Sequence, residues 1–376
     1  MKIALLGHGT VGRGVDDIIR ARVPEVEVAR ILELPDRITD ERMTSNFDDI
    51  LNDASIELVV ECMGGIEPAH TFIAAALKAR KHVVTSNKAV VAAHFGEFAQ
   101  LATENDVAFL VEAAVGGGIP WIASINKVRR IDEVSYFMGI MNGTTNYILE
   151  SMRRERLDFN VALGRAQELG YAEADPSADI DGIDVANKTI ISACVAFDVD
   201  CVRDFPVTGI RTITKRDIDF FSSRGLVVKL FGGGRSVDGR YAVTVEPVAI
   251  PYSAMEAAVP SNFNILSVEG MTVGPLKFYG QGAGSLPTGN AIVQDVIDVA
   301  HGRRQVYNFS RGLQYDPALI MSDFVIRATR CPVYGETWAP GVWRVRNLTA
   351  EKARALLEEI WEYDPTAFMA TLPREV

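Results

Sequence analysis

Gly7-His8-Gly9-Thr10-Val11-Gly12 follows an apolar run, Lys2 to Leu6, and precedes a helical pattern reaching about Arg22. Each glycine has its own task at such a junction. Gly7 permits the tight turn, Gly9 lets backbone approach a pyrophosphate, and Gly12 lets helix and strand pack closely. The N–H groups at the helix start, where Thr10 and Val11 lie, then face the phosphates. A strand, this fingerprint and a helix together predict a dinucleotide-binding sheet, against the plainer reading of a glycine-rich turn without a ligand.

The following residues keep the alternation of a doubly wound parallel sheet. Val26 to Leu32, Ile56 to Met63, His82 to Thr85 and Val107 to Val111 read as strands, and Thr71 to Ala79 and His94 to Glu104 as helices. Ligands bind such sheets beyond the carboxyl ends of the strands. That puts Gly64, Ser86-Asn87-Lys88 and Glu112 to Gly118 on one rim, where Lys88 reads as a cofactor or substrate group. Glu33 ends the second strand, 21 residues beyond Gly12. An acid there accepts hydrogen bonds from the adenosine ribose of NAD and repels the extra phosphate of NADP. Arg30 and Arg37 could counter it, so the expectation is NAD or NADP with a lean to NAD.

From Ile131 the pattern changes. Val134 to Ile140 reads as a strand, and Asn142-Gly143-Thr144-Thr145-Asn146 turns into a helix from about Tyr147. Strand-like runs follow at Leu226 to Phe231, Tyr241 to Pro247, Asn264 to Val268 and Leu276 to Tyr279. Gly232-Gly233-Gly234 lies between two of them and reads as a hairpin turn, not a phosphate loop. Gly280 to Gly284 leads into a helix, Gly289 to Ala300. This order suggests an α+β substrate domain.

Within that region, Tyr171 to Lys188 holds five carboxylates, Glu173, Asp175, Asp179, Asp181 and Asp184, and one lysine heading an apolar run. Asp184 and Lys188 are four apart and share one helix face if a helix begins near Asp181 to Asp184. A carboxylate and an amine fixed side by side can bind a polar substrate and move a proton. The alternative is an acidic surface loop with an ordinary ion pair. A calcium loop is excluded: counting from Asp175, the required glycine is Ile180, and no terminal Glu follows.

A net charge of −11 argues against nucleic acid or an anionic membrane as partner. No signal peptide or membrane-length apolar run is present. Four scattered cysteines read as reduced residues of a cytoplasmic protein, and five dispersed histidines show no zinc-type spacing.

Several motifs in order make the chain resemble homoserine dehydrogenase over about residues 1 to 300. They are Gly7 to Gly12, Ser86 to Ala89, Glu112 to Pro120, Gly139 to Leu149, Gly170 to Lys188, Gly209 to Asp217 and Gly280 to Thr288. The resemblance implies interconversion of L-aspartate 4-semialdehyde and L-homoserine with a nicotinamide cofactor. It implies Lys188 as catalytic acid/base, Lys88 beside the nicotinamide, and Asp184 as a hydrogen-bonding partner near the hydroxyl. Glu173 would capture the substrate ammonium, with Asp179 and Thr144 also at the substrate and Gly284 at the cofactor. Glu112, Val115, Gly117 and Ile119 match a loop that holds a monovalent cation, such as sodium, through backbone carbonyls in some relatives. Relatives dimerise through the second domain, so a homodimer or homotetramer is expected. Two other functions are open: a sister dehydrogenase acting on a different semialdehyde or oxo acid, and a catalytically silent dinucleotide-binding regulator.

The expected organisation is a Rossmann-type domain at 1–131, a substrate and dimerisation domain at 132–302, and an extension at 303–376. In the extension, Phe324 to Thr329 reads as a strand and Leu348 to Tyr363 as a helix. Pro340-Gly341-Val342 faintly resembles a motif of regulatory ACT domains, but the helix that should follow is absent. Feedback control by threonine is therefore not expected.

Overall fold

The computed structural model describes residues 1–372; the last four residues of the expected extension lie outside the described ones. The chain divides into two compact units. The first comprises Met1–Arg130, Cys194–Cys201 and Gly280–Arg311, and the second Ile131–Ala193, Val202–Tyr279 and the rest from Gly312.

The first unit holds a parallel sheet of β1 (Lys2–Leu6), β2 (Glu27–Leu32), β3 (Met43–Thr44), β4 (Ile56–Glu61), β5 (His82–Thr85) and β6 (Phe109–Leu110). Their order is β3-β2-β1-β4-β5-β6, with every pairing parallel. This is the doubly wound order, and its switch point lies between β1 and β4, where such sheets take their ligands. The apolar runs are continuous because both faces are covered. Leu5, Val60 and Val84 pack with Val15 and Ile19 of the Thr10–Arg22 helix and with Ile292 and Val296 of the Ser285–Ala300 helix. Gly14 and Gly289 let those two helices approach, since a Cβ on Gly14 would stand 2.8 Å from the Ser285 carbonyl oxygen.

Two helices begin earlier than their apolar periodicity suggests. One runs Lys88–Asn105 and the other Gly143–Arg154. Each is opened by an asparagine whose side chain accepts a first-turn amide, Asn87 from Val90 and Asn142 from Thr145. A satisfied cap lets glycine and threonine occupy a first turn they would otherwise disfavour.

The second unit is built on a mixed sheet. Its strands are β7 (Val134–Ile140), β8 (Leu226–Val237), β9 (Arg240–Pro251), β10 (Phe263–Gly270), β11 (Gly274–Gln281), β12 (Gln314–Tyr315), β13 (Met321–Arg327), β14 (Glu336–Ala339), β15 (Val342–Thr349) and β16 (Phe368–Leu372). The order is β11-β10-β7-β8-β9-β16-β13-β15-β14, with β12 beside β9. Residues expected to form a separate extension thus continue this sheet. A strand, not a helix, follows Pro340-Gly341. The helix Ala350–Trp361, capped by Thr349, packs Ala353, Leu357 and Ile360 on Phe324, Ile326 and Val345.

One expectation needs correcting. Gly232-Gly233-Gly234 is not a hairpin turn; it lies inside β8, and the turn comes at Asp238-Gly239. The glycines are there for space. A Cβ on Gly232 would overlap Thr189 Oγ1 and stand 2.7 Å from Val185 Cγ1, and one on Gly233 would stand 2.9 Å from the Phe137 carbonyl oxygen. Val185 and Thr189 belong to the helix Ile183–Phe197, so the bare stretch of strand seats that helix against the sheet. Gly232→Ala should therefore destabilise the fold by about 1–3 kcal/mol through overpacking. Gly164→Ala, in the helix Phe159–Glu168 with nothing within 4 Å of its Cβ, should stabilise by about 0.4–1 kcal/mol. Urea denaturation midpoints of the two variants should move in opposite directions.

Candidate active site

The expected site residues form two sets, one in each unit. In the first unit, Gly7 turns with φ +94°, and its N–H donates to the Leu32 carbonyl oxygen at 2.9 Å. A Cβ on Gly12 would overlap the Gly7 carbonyl oxygen, whereas Gly9 has nothing within 4 Å of where its Cβ would be. The helix after it starts at Thr10 and Val11, has no acidic residue in its first turn and no side-chain cap from Gly9. Closed packing at Gly12, open space at Gly9 and uncapped amides fit a dinucleotide pyrophosphate.

Glu33 is pinned at the end of β2. Its Oε2 accepts the His8 amide and its Oε1 the Leu34 amide, both at 3.0 Å. Burial opposes ionisation of this carboxyl, but the Leu34 and His8 amides, with the nearby charges of Arg37 and His8, hold its pKa below the usual value. Of the arginines near it, Arg30 donates to the Glu41 carbonyl and Arg42 is bound to Asp16 and Asp40. Arg37 lies 4.0 Å from Glu33.

Around the switch point, Gly64 follows β4 with φ +95°. Of the residues that hold this rim, Asn87 belongs to the Ser86 to Ala89 motif, whereas Glu61 and Thr85 are outside every motif. Glu61, fully buried, accepts from Thr85 Oγ1 at 2.6 Å, from the Met63 amide at 2.7 Å and from Asn87 Nδ2 at 3.4 Å. Burial raises its pKa against those donors. The signal was a second carboxylate closing a strand whose other one, Glu57, is exposed near its start. Asn87 also donates to the Gly65 carbonyl at 2.7 Å and caps the helix that starts with Lys88. Gly284, with φ +133°, precedes the Ser285–Ala300 helix.

The Glu112–Ile119 loop is also in this unit. The Glu112 side chain is buried and accepts the Ile122 and Ala123 amides at 3.0 and 2.6 Å. Burial pushes its pKa up to about 7. Its carboxylate therefore faces a helix start. The Glu112 and Ile119 carbonyls accept the Val115 and Trp121 amides, and Gly117 turns with φ +58°. Each carbonyl oxygen has two lone pairs, and an all-oxygen donor set suits a hard cation.

In the second unit the acidic stretch sorts itself. Asp181 forms a two-point ion pair with Arg211, and Asp175 caps the Ser177 amide. Glu173 is exposed in the loop, with its main-chain carbonyl held by Gln167. Asp179, Asp184 and Lys188 converge. Lys188 Nζ donates to Asp184 Oδ2 at 2.8 Å and to the Met141 carbonyl oxygen at 2.7 Å, and both side chains are buried.

Asn142 completes this cluster. Its Nδ2 donates to Asp179 Oδ1 at 2.6 Å and to the same Asp184 Oδ2 at 2.8 Å. Burial raises the pKa of Asp179; Asn142 opposes this, while nearby Asp184 adds to it. Thr144 Oγ1 donates to the Tyr171 carbonyl at 2.5 Å, tying the helix start to the acidic loop. Chemically, this is a buried ammonium between a carboxylate and a carbonyl, with a second carboxylate beside it. Such a group can give and take a proton at a bound oxygen.

Comparisons with known proteins point to one family. Residues 7–112 match the family model described as homoserine dehydrogenase, NAD binding domain, and residues 120–297 match that of homoserine dehydrogenase. The homoserine dehydrogenase of Synechocystis is 40% identical over 316 residues, spanning 80% of this chain and 73% of that protein. That of Bacillus subtilis is 35% identical over 323 residues, spanning 81% and 74%. Among solved structures, a homoserine dehydrogenase from Thiobacillus denitrificans superposes with a TM-score of 0.86 at 29% identity, covering 99% of this chain and 98% of its own. That of S. aureus gives 0.78 at 30% identity, covering 100% and 99%. No helix among the described residues is long and apolar enough to cross a membrane. With a dinucleotide-type sheet, a buried lysine–carboxylate cluster and these likenesses together, the chain belongs to the homoserine dehydrogenase family.

Proposed function

We propose that the chain interconverts L-aspartate 4-semialdehyde and L-homoserine, and that Lys188 moves the proton. The observation that carries this reading is the Lys188 ammonium, fixed by Asp184 Oδ2 and the Met141 carbonyl. The nicotinamide cofactor, when bound, supplies or accepts the hydride. The chain's own residues must orient the substrate and handle one proton. In reduction, Lys188 gives its proton to the aldehyde oxygen as negative charge develops there; in oxidation it takes the hydroxyl proton. Asp184 and Asn142 keep Nζ in place, and Asp179 and Thr144 border the substrate. Glu173, exposed on its loop, captures the substrate ammonium, and Lys88 serves the nicotinamide side.

The pinned Glu33 carboxylate supports a preference for NAD, because a ribose diol donates to it and a 2′-phosphate is repelled. A monovalent cation would be held by the carbonyls of Glu112, Val115, Gly117 and Ile119. A homodimer or homotetramer fits the exposed apolar side chains Ile131, Met271 and Tyr279 of the second unit, and four unpaired cysteines fit the cytoplasm.

Three measurements test these assignments. Lys188→Ala should keep cofactor affinity, read by fluorescence titration with the reduced cofactor, and cut kcat by roughly 10²–10⁴. A kcat within threefold of the parent would remove Lys188 from the mechanism. Glu33→Arg should move the NAD to NADP ratio of kcat/KM at least about tenfold towards NADP, since a hydrogen bond to an ionised group is lost for one cofactor and made for the other. A parent that prefers NADP tenfold would show that Glu33 does not select the cofactor.

Asn142→Ser keeps a capping oxygen but withdraws the amide from Asp179 and Asp184. That disfavours the charged carboxylates and raises the pKa of Asp179 further, so the acid limb of the kcat/KM profile should move to higher pH. The loss at the optimum should be at least about tenfold, since two hydrogen bonds to carboxylates are withdrawn and one such bond alone is worth about that much. A profile superposable on the parent's would show that these hydrogen bonds do not govern the titration.

A further inference from the structure

His70 and His94 lie 24 residues apart in sequence, a spacing that matches no metal motif, yet in the first unit they meet. His70 stands on the helix Ala69–Lys78 and His94 on the helix Lys88–Asn105, and their rings face each other with centroids 4.1 Å apart. Glu97, one turn beyond His94, reaches both. Its Oε2 lies 2.9 Å from His70 Nε2 and 3.4 Å from His94 Nδ1. One ligand atom from each residue lies within 4.8 Å of the other two. Nothing in the proposed reaction uses these residues.

We propose that His70, His94 and Glu97 form a site for a borderline divalent transition metal of the zinc type, bracing the two helices. Three observations carry this. The first is spacing: bonds of about 2.0–2.1 Å in a tetrahedron place neighbouring ligand atoms roughly 3.3 Å apart, which two of the three edges already approach. The second is donor chemistry, because two imidazoles and a carboxylate suit zinc and its neighbours and not the all-oxygen cations.

The third is what stands behind His70. Its other nitrogen, Nδ1, lies 3.0 Å from Glu67 Oε1, and Glu67 Oε2 accepts from Thr71 Oγ1 at 2.8 Å. A carboxylate on the far nitrogen fixes the tautomer that turns the Nε2 lone pair towards a metal. Phe98 packs against both rings at 5.6 and 6.0 Å, which limits their rotation. The helix leaves helical backbone at His94 (φ −130°, ψ 19°), which changes the direction in which that ring projects. Both histidine side chains and Glu97 remain partly exposed, at 23, 31 and 43%, so water can fill a fourth position.

The competing account is that two imidazoles simply share one carboxylate by hydrogen bonding. The test uses the full chain with Cys331, an exposed thiol, changed to serine, after chelation and dialysis. Co²⁺ serves as the absorbing probe and Zn²⁺ as its competitor. One Co²⁺ per chain should bind with tetrahedral visible absorption and a Kd near micromolar or below, about −8 kcal/mol. Zn²⁺ should displace it, and Zn²⁺ at about 100 times its Kd should raise Tm as ligand linkage requires. His70→Ala and His94→Ala should each abolish the absorption. Glu67→Gln, which removes no ligand and leaves the fold undisturbed by its exposure, should weaken binding about 10–100-fold. Binding weaker than about 1 mM in the parent, roughly −4 kcal/mol, or an absorption that survives either histidine substitution, would overturn the site. So would a Glu67→Gln affinity equal to the parent's.

Discussion

The second unit's chemistry hangs on the amide of Asn142. Its oxygen accepts the Thr145 amide and so starts the Gly143–Arg154 helix, while its nitrogen donates to Asp179 and Asp184. A buried carboxylate, Asp184, and a half-buried one, Asp179, that share a neighbourhood repel, and a neutral donor between them offsets part of that repulsion without adding charge. Asp184 then presents one oxygen to both Asn142 and Lys188. The same helix is anchored from beneath. Lys229, fully buried, donates to Asn146 Oδ1 at 2.7 Å and to the Val259 carbonyl at 2.9 Å, and burial pulls its ammonium down to about 8 against the charge of Glu150. A helix held by a cap at its start and a buried cation at its flank gives the carboxylates a fixed frame.

Much of this was legible in the residues. The parallel sheet followed from apolar runs separated by helical periodicity. The pairing of Asp184 with Lys188 followed from their spacing on a helix. What was not legible depended on partners remote in sequence. Nothing local shows that Asp179 shares Asn142 with Asp184 or that Asp181 belongs to Arg211. The glycines of β8 mislead for the same reason: three in a row between strands have the local chemistry of a turn. Pairing with β7 and β9 on either side makes them a strand, and the close approach of Val185 and Thr189 to Gly232 and of Phe137 to Gly233 explains why they are glycine.

The two asparagine-capped helices show a milder form of the problem. Apolar periodicity marks where a helix buries a face, not where it begins. Asn87 and Asn142 each start a helix before that face appears, and each also holds a strand-end carboxylate or acidic loop. Capping and site assembly are thus performed by one side chain in both units.

β16 is the last strand of its sheet in sequence but not at its edge: it lies between β9 and β13, with Thr371 opposite Val248. During synthesis, the part of β9 around Val248 must wait for its partner while the intervening residues are made, although Pro206 and Thr208 already bond Val245. The short β12 covers only its start, at Arg240 and Tyr241. Closing the sheet joins residues about 120 apart, a slow, non-local step that comes after most of the unit's core can form. For this chain the hazard of misassembly is therefore concentrated in the nascent state, along an edge that the finished molecule no longer shows.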